Sequence, residues 1–428
     1  MDKAKKRLEL IKAGVKLPPR VAARELKGEI TKWLKREEII VITGARQTGK
    51  SVLLYQLILN DILPKTTAVH YFNLDVPKHL EFFQSPDKLI ALANKSKGKT
   101  YVIIDEVQRL KEPGLFLKGV YDLHLPLKII VSGSSALEIK SKIHEALTGR
   151  KVLFHLHPFN LKELCWALFP KEKFEKIVKD KQKFALALDH FLTYGGYPAV
   201  VMAKSKKLKL ALLAEVFQSY LEKDVKAFLK VENETAFMNL LKLLASQVGS
   251  LTNKEELSNS LGIHKNTLDN YLFYLEQTFI LDFIRPFYKN PRKELLKNPK
   301  VYFNDLGIRN FAVSTFGKFE YRPDKGVILE NFAYLSLKKL VKYANTISFW
   351  RTKAGAEVDF ILVDKMQPIP FEVKATRLEK FKISRSFRSF LLTYKPTKAF
   401  CLNLSLSETK NVGATKISFL TPQDLILL

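Results

Sequence analysis

Cysteine is almost missing from this chain: Cys165 and Cys401 are the two among 428 residues. They lie far apart and form no metal-type spacing, which excludes a disulfide framework and fits a reducing compartment. Long apolar runs are missing too. EIIVITG (38–44) and LKIIVSG (127–133) are far too short to span a bilayer. The basic start MDKAKKRLELIKAG has neither the apolar stretch nor the cleavage site of a signal peptide. A cytoplasmic protein without a membrane partner is expected. Internal repeats and low-complexity stretches are absent as well. Acidic residues are outnumbered, 43 Asp and Glu against 71 Lys and Arg, a formal net charge of +28. Such an excess favours a polyanionic partner, with nucleic acid ahead of an anionic membrane surface. A Lys-rich surface suited to a hot or salty cytoplasm is the competing explanation. With 46% hydrophobic and 27% charged residues the chain reads as soluble and globular, and its length implies about three domains.

The most informative stretch is TGARQTGKS, residues 43–51. Gly44, Ala45, Arg46, Gln47, Thr48, Gly49, Lys50 and Ser51 satisfy the phosphate-loop pattern G-x-x-x-x-G-K-[ST], and Val52 continues into a helix. An apolar strand precedes the loop. The glycines let backbone N–H groups curl around a β-phosphate, and the new helix presents its positive end to the anion. Lys50 is expected on the β- and γ-phosphates of ATP, and the Ser51 hydroxyl on Mg²⁺. A second apolar strand, TYVII, delivers Asp105 and Glu106 to its C-terminal end, where ligands of open parallel sheets bind. Asp105 would hold Mg²⁺ through water and Glu106 would act as general base on the attacking water. A further strand ends in SGSS. Ser134 is the candidate sensor of the γ-phosphate, with Ser132 fitting almost as well. Arg150, in ALTGRKV, is a candidate arginine finger, acting within its own chain or, as such residues often do, from a neighbouring subunit; a homo-oligomer is expected. The alternation of strands with helices up to this point is that of a parallel sheet covered on both faces.

Beyond residue 160 long Leu/Phe/Lys helices take over, broken by the turn YGGYP at 194–198. NKEELSNSLGIHKNTLDNYLFYLEQ (253–277) has the proportions of a helix-turn-helix. The start of its second helix would present His264, Lys265, Asn266 and Thr267 to nucleic acid; a packing or protein-contact role for the same helices stays open. The basic YKNPRKELLKNPK (288–300) reads as a linker or an exposed wing. In AEVDFILVDKMQPIPFEVKAT, period-2 alternation puts Glu372 and Lys374 on one face of a strand, and a hairpin would bring Asp359 beside them. Two carboxylates flanking a lysine suit phosphodiester hydrolysis at a second divalent metal, with Glu330 as a further acid. A solvent-exposed ladder of opposite charges across two strands explains the same pattern.

The pieces REL near residue 24, GARQTGKS, IIDEVQRL, SGSSA, LTGR, HPFNLKEL, GGYP, WRTKAGAEVDFIL and FEVKA span most of the chain. As a set they resemble a prokaryotic AAA-type P-loop ATPase family with a C-terminal PD-(D/E)XK nuclease-like domain of uncharacterised function. The resemblance implies metal-ligand roles for Asp359 and Glu372 and a catalytic role for Lys374. Val358 stands where that motif carries Pro. The expected architecture is α/β. It consists of an N-terminal helical segment (1–35), an ASCE/AAA-type parallel-sheet ATPase domain (36–160) and a helical lid (161–234). A winged helix-turn-helix (235–297) and a restriction-endonuclease-like α/β domain (298–428) follow. The leading functional expectation is an Mg²⁺-dependent ATPase acting on DNA, with RNA left open. The alternative is an ATP-controlled switch or scaffold whose nuclease-like fold is inert and mediates protein contacts.

Overall fold

Ile39–Thr43 is apolar almost throughout, and a strand of that kind is stable when covered on both faces. The structure is a computed structural model describing residues 2–96, 98–133, 146–226, 233–287, 297–341, 346–364 and 367–428. It sets this strand, β1, inside a five-stranded parallel sheet. The partners are β2 (Val69–Asn73), β3 (Thr100–Asp105), β4 (Leu127–Gly133) and β5 (Lys151–His155), in the order β2–β3–β4–β1–β5. Register runs Ile42↔Ser132 between β1 and β4, and Thr43↔His155 between β1 and β5. Alternate β1 residues feed two cores: Ile39 and Val41 on one face, Ile40 and Ile42 on the other. Around the sheet lie α1 (Lys3–Lys12), α2 (Glu25–Thr31), α3 (Lys50–Gln56), α4 (Pro77–Phe82), α5 (Asp87–Asn94) and α6 (Pro113–Asp122). Edge strand β5 was not anticipated: KVLFH is half-buried along its whole length and carries no alternation.

The helices α7 (Leu161–Leu168), α8 (Phe174–Lys179), α9 (Lys181–Tyr194), α10 (Pro198–Met202) and α11 (Lys206–Tyr220) follow. Asn160 and Glu163 close a capping box that starts α7. Next come α12 (Glu234–Ser246), α13 (Lys254–Leu261) and α14 (Lys265–Gln277); Gly262, at φ 62°, makes the turn between the last two.

The second sheet has eight strands: β6 (Leu281–Pro286), β7 (Lys300–Phe303), β8 (Ile347–Arg351), β9 (Glu357–Asp364), β10 (Gln367–Val373), β11 (Lys398–Leu402), β12 (Glu408–Val412) and β13 (Thr415–Leu420). Their order is β12–β13–β11–β10–β9–β8–β6–β7. Helices α15 (Leu306–Ala312) and α16 (Lys325–Leu340) pack toward one face, and α17 (Arg385–Tyr394) covers β9 and β10 from the other. From α16 onward the chain order is helix, three antiparallel strands, helix and a parallel strand.

The expected boundaries at 234/235 and 297/298 fall inside continuous structure. One apolar core runs from Leu164 through Leu241, Leu272 and Phe303 to Phe332 and Leu402. The strand pair β6–β7 straddles residue 297 and joins the C-terminal sheet through β8. The helices from α7 to α14 and the second sheet are therefore packed as one body. Among the described residues no helix is long and apolar enough to cross a membrane.

Candidate functional site

The turn after β1 has little room. A Cβ on Gly44 would lie 2.1 Å from the Leu156 carbonyl oxygen, so only glycine fits beside the end of β5. Gln47 and Gly49 take left-handed backbone conformations, at φ 60° and 93°, and α3 begins at Lys50. The Lys50 ammonium is buried and folded into the loop, donating to the carbonyls of Gly44 at 3.0 Å and Ala45 at 2.9 Å. Thr48 donates to the Ala45 carbonyl at 2.9 Å. Arg46, Ser51 and Val52 complete the stretch, with Ser51 and Val52 in the first turn of α3.

Asp105 ends β3 at the same edge of the sheet and is buried. Its Oδ1 accepts from Ser132 Oγ and from the Glu106 N–H, and its Oδ2 accepts from the Tyr71 hydroxyl at 3.1 Å. Burial and then the Asp105 charge push the Tyr71 phenol far above its ordinary range, so it keeps its proton and donates. Tyr55, on α3, lies 3.3 Å from the Tyr71 hydroxyl and extends the chain back to the loop's own helix. Glu106 takes a left-handed conformation at φ 58°, ψ 45°, a strained geometry for a residue with a side chain. Gln108 Nε2 donates to its carboxylate at 2.5 Å. Of the two serines expected near the γ-phosphate, Ser132 is bound to Asp105, and Ser134 lies outside the described residues.

Arg150 is at the other end of the sheet. Its carbonyl accepts from the N–H of Ile39, the first residue of β1, and its guanidinium pairs with Asp122 at 2.8 Å. A finger role toward its own phosphate loop is thus excluded by topology; the loop lies at the strand ends and Arg150 at the strand starts.

Arg24, which in sequence is only part of REL, holds the loop in place. Its guanidinium donates to the Thr48 carbonyl at 2.9 Å, the His157 carbonyl at 2.5 Å and Glu163 Oε1 at 3.2 Å, and it stacks on Phe159. Beside it Glu25 pairs with Lys162 at 3.0 Å and, across the molecule, with Lys339 on α16 at 2.8 Å. The YGGYP turn closes the same region. A Cβ on Gly196 would lie 2.0 Å from the Phe159 carbonyl, and the Gly196 N–H donates to Asp305 at 2.7 Å. Between the N-terminal segment, α3 and α10 opens a mostly apolar cleft of about 510 Å³, lined by Val21, Val52, Gln56, Pro198 and Met202 beside Thr48 and Gly49.

The four residues of the expected second centre do converge. Lys374 pairs with Glu372 at 2.8 Å, and Asp359 accepts the Val373 N–H at 2.7 Å. A β-bulge helps. Ser348 pairs with Ile361 and Trp350 with Val358, which leaves Asp359 and Phe360 both opposite Phe349. Glu330 accepts from the Tyr302 hydroxyl at 2.6 Å and pairs with Lys300 at 3.7 Å. Burial and then the Asp359 charge push the Glu330 carboxyl up to about 7. Lys300, the last residue of the stretch read as a linker or wing, is the surprise: 1% exposed, it also pairs with Glu357. Burial works against its charge, but Glu330, Asp359 and Glu357 outweigh it and hold its ammonium above the usual lysine range. The expected second divalent metal finds no support. Among the described residues no group of three or more His, Cys, Asp or Glu could hold one, and two lysines already neutralise the acids.

His264 stands at the N-cap position of α14 without a side-chain bond to the helix; His264, Lys265 and Asn266 are exposed, with Thr267 half-buried.

Three family models match the chain. Residues 36–165 match an AAA domain, 186–318 a domain of unknown function (DUF8612), and 325–420 a second domain of unknown function (DUF4143). An uncharacterised protein of Mycobacterium tuberculosis is 26% identical over 376 residues, covering 87% of this chain and 78% of the relative. An uncharacterised protein of Methanocaldococcus jannaschii is 23% identical over 414 residues, covering 94% and 89%. Among solved structures, a Walker-type ATPase of Pyrococcus abyssi aligns with TM-score 0.50 and 15% identity, over 70% of this chain and 99% of that one. Sheet order, phosphate loop and domain match together make residues 36–165 a P-loop ATPase domain of AAA type.

Proposed function

We propose that this chain is an Mg²⁺-dependent ATPase that works as a homo-oligomer and acts on nucleic acid, with a C-terminal domain of nuclease-like fold that binds without cutting. The observation that carries the ATPase reading is the convergence of Lys50, Asp105 and Glu106 at one edge of the parallel sheet, Asp105 being held by three donors. The phosphates of ATP would sit in the loop shaped by Gly44 and Gly49, and its base in the apolar cleft beside Val52 and Pro198. Lys50 would exchange its two carbonyl partners for the β- and γ-phosphates. The oxygen donors Ser51 and Asp105 suit a hard cation. When bound, Mg²⁺ would neutralise charge on the β- and γ-phosphate oxygens. Glu106 would orient the attacking water and take its proton, and Arg150 of a neighbouring copy would face the transferred phosphoryl.

The helix–three strands–helix–strand order from α16 to β11, with Asp359, Glu372 and Lys374 on adjacent strands, supports the nuclease-like reading of the fold. Lys300 argues against a cutting centre. A buried ammonium among Glu330, Glu357 and Asp359 supplies the positive charge that a metal would bring. Purified protein should release phosphate from ATP, faster with DNA or RNA present, and Lys50→Ala and Glu106→Gln should each abolish release. Hydrolysis that persists in both variants would sink the ATPase assignment. Metal-dependent DNA cleavage that disappears in Asp359→Ala would overturn the non-cutting part alone.

A further inference from the structure

The charge of the molecule is unevenly spread, and the helix-turn-helix is not where the excess lies. Residues 253–277 carry Lys254 and Lys265 against Glu255, Glu256, Asp269 and Glu276, a balance of 2 − 4 = −2. Lys254 is itself paired with Asp269 at 2.6 Å. A polyphosphate approaching α14 meets more acid than base.

The segment from Lys374 to Lys398 is the opposite. It holds Lys374, Arg377, Lys380, Lys382, Arg385, Arg388, Lys395 and Lys398 against Glu379, a balance of 8 − 1 = +7. The fold sorts these residues by face. In the stretch before α17, Leu378, Phe381 and Ile383 turn inward onto the core of Trp350, Val358 and Phe419, while Lys380 and Lys382 between them are exposed. In α17, which Ser384 caps, Phe387, Phe390 and Leu391 are buried against the same core. Arg385 and Arg388, three residues apart, share the solvent side of α17, and the exposed Lys395 follows at its C-cap. Among the described residues Lys380, Lys382, Arg385, Arg388 and Lys395 have no ion-pair partner, and Arg377 reaches only the exposed Glu320 at 3.4 Å.

Unpaired like charges gathered on a rigid element repel one another unless an extended anion covers them. From Arg385 to the C-cap Lys395 the helix rises about 15 Å, a length over which duplex DNA carries about nine phosphates. A membrane surface fits less well. The apolar face of α17 is consumed by the core, leaving Leu392 as the one large apolar side chain on its solvent side.

We infer that α17 and the preceding residues 377–384 form the surface that grips the phosphate backbone of a nucleic acid, in place of the N-terminal end of α14. This rests on the nucleic-acid reading above. Backbone contacts of this kind hold without reading sequence.

The test is fluorescence anisotropy of full-length protein on a labelled random-sequence duplex across a salt series. R385E/R388E/K395E should weaken binding at least tenfold and lower the slope of log K against log salt by roughly 2 to 3, about 0.9 per lost contact. The milder R385Q/R388Q, whose folding is checked by its melting curve, should weaken binding in the same direction. H264A/K265A/N266A should bind within about twofold of wild type. Unchanged affinity and slope in both α17 variants, or loss in the α14 variant alone, overturns the surface and leaves the nucleic-acid reading standing. Wild type that binds neither DNA nor RNA overturns both. Wild type that binds vesicles containing phosphatidylserine through these residues, and no nucleic acid, overturns it in favour of a lipid surface.

Discussion

Arg24 donates to the Thr48 carbonyl at 2.9 Å, so a residue outside the ATPase sheet fixes the backbone of the phosphate loop. The same guanidinium reaches Glu163 on α7, which ties the loop and that helix to one side chain. Replacing it by alanine would leave the buried Glu163 carboxylate without its cation. Arg24→Ala should therefore destabilise the protein by about 3 kcal/mol and weaken ATP binding about tenfold. Arg24→Lys should recover part of the stability and little of the affinity, because one ammonium cannot serve the Thr48 and His157 carbonyls in the fork geometry of a guanidinium. Melting curves and titration with a non-hydrolysable ATP analogue separate the two effects. Equal ATP affinity in all three proteins would refute the role in loop positioning.

Asp105 depends on donors from two other strands. Tyr71→Phe removes the bond to Oδ2, and Ser132→Ala one of those to Oδ1. Each should raise the Mg²⁺ concentration for half-maximal hydrolysis about tenfold, the usual cost of losing a partner that orients a metal-binding carboxylate. Tyr55→Phe, one bond further out, should change it much less. An unmoved Mg²⁺ requirement in Tyr71→Phe would show that the hydroxyl serves packing only.

The Asp305 carboxyl gives a pH signature. Burial pushes it up to about 6, against the hydrogen bonds it accepts from the Gly196, Ile308 and Gly307 N–H groups. In the unfolded chain it titrates near 3.9, so its contribution to stability is full below about pH 4 and is lost as pH rises through about 6. Between pH 4 and pH 7 the stability of wild type relative to Asp305→Asn should fall by about 2 kcal/mol. Urea unfolding of both proteins across that range measures it. A difference that stays flat would mean that Asp305 is ionised at little cost.

These predictions divide by how far apart in sequence the partners lie. The phosphate loop was legible because its chemistry needs contiguous residues, and Gly44 through Ser51 are consecutive. Asp105 and Glu106 were legible because they end a buried strand. Arg24 and Tyr71 were not: their partners lie 24 and 34 residues away, and neither residue type is unusual where it stands. The pairing of Glu372 with Lys374 followed from period-2 alternation, whereas Lys300 was hidden in a stretch read as a linker or wing. Packing between segments was hidden for a related reason. Helical runs from 161 to 277 look separable in sequence, but their apolar stripes meet in one core with β6, β7 and α16. Net charge is equally mute on place: +28 favours a polyanion and says nothing of which face would meet it.

Arg150 yields the last prediction. It precedes β5, whose five residues span about 16 Å, and its guanidinium is tethered to Asp122 at the strand-entry edge. Its own Lys50 lies at the strand-exit edge, so a contribution to catalysis has to come from a neighbouring copy. Arg150→Ala should then lower the rate by up to about 10³ while leaving ATP binding intact. Lys50→Ala should lose binding and hydrolysis but still carry a competent Arg150. An equal mixture of the two inactive proteins should regain roughly a quarter of wild-type activity, the share of head-to-tail interfaces that random assembly pairs productively. Wild-type specific activity should also rise with protein concentration as oligomers form. A mixture that stays inactive, with a specific activity independent of concentration, would leave Arg150 as a surface partner of Asp122 and remove the reason to expect an oligomer.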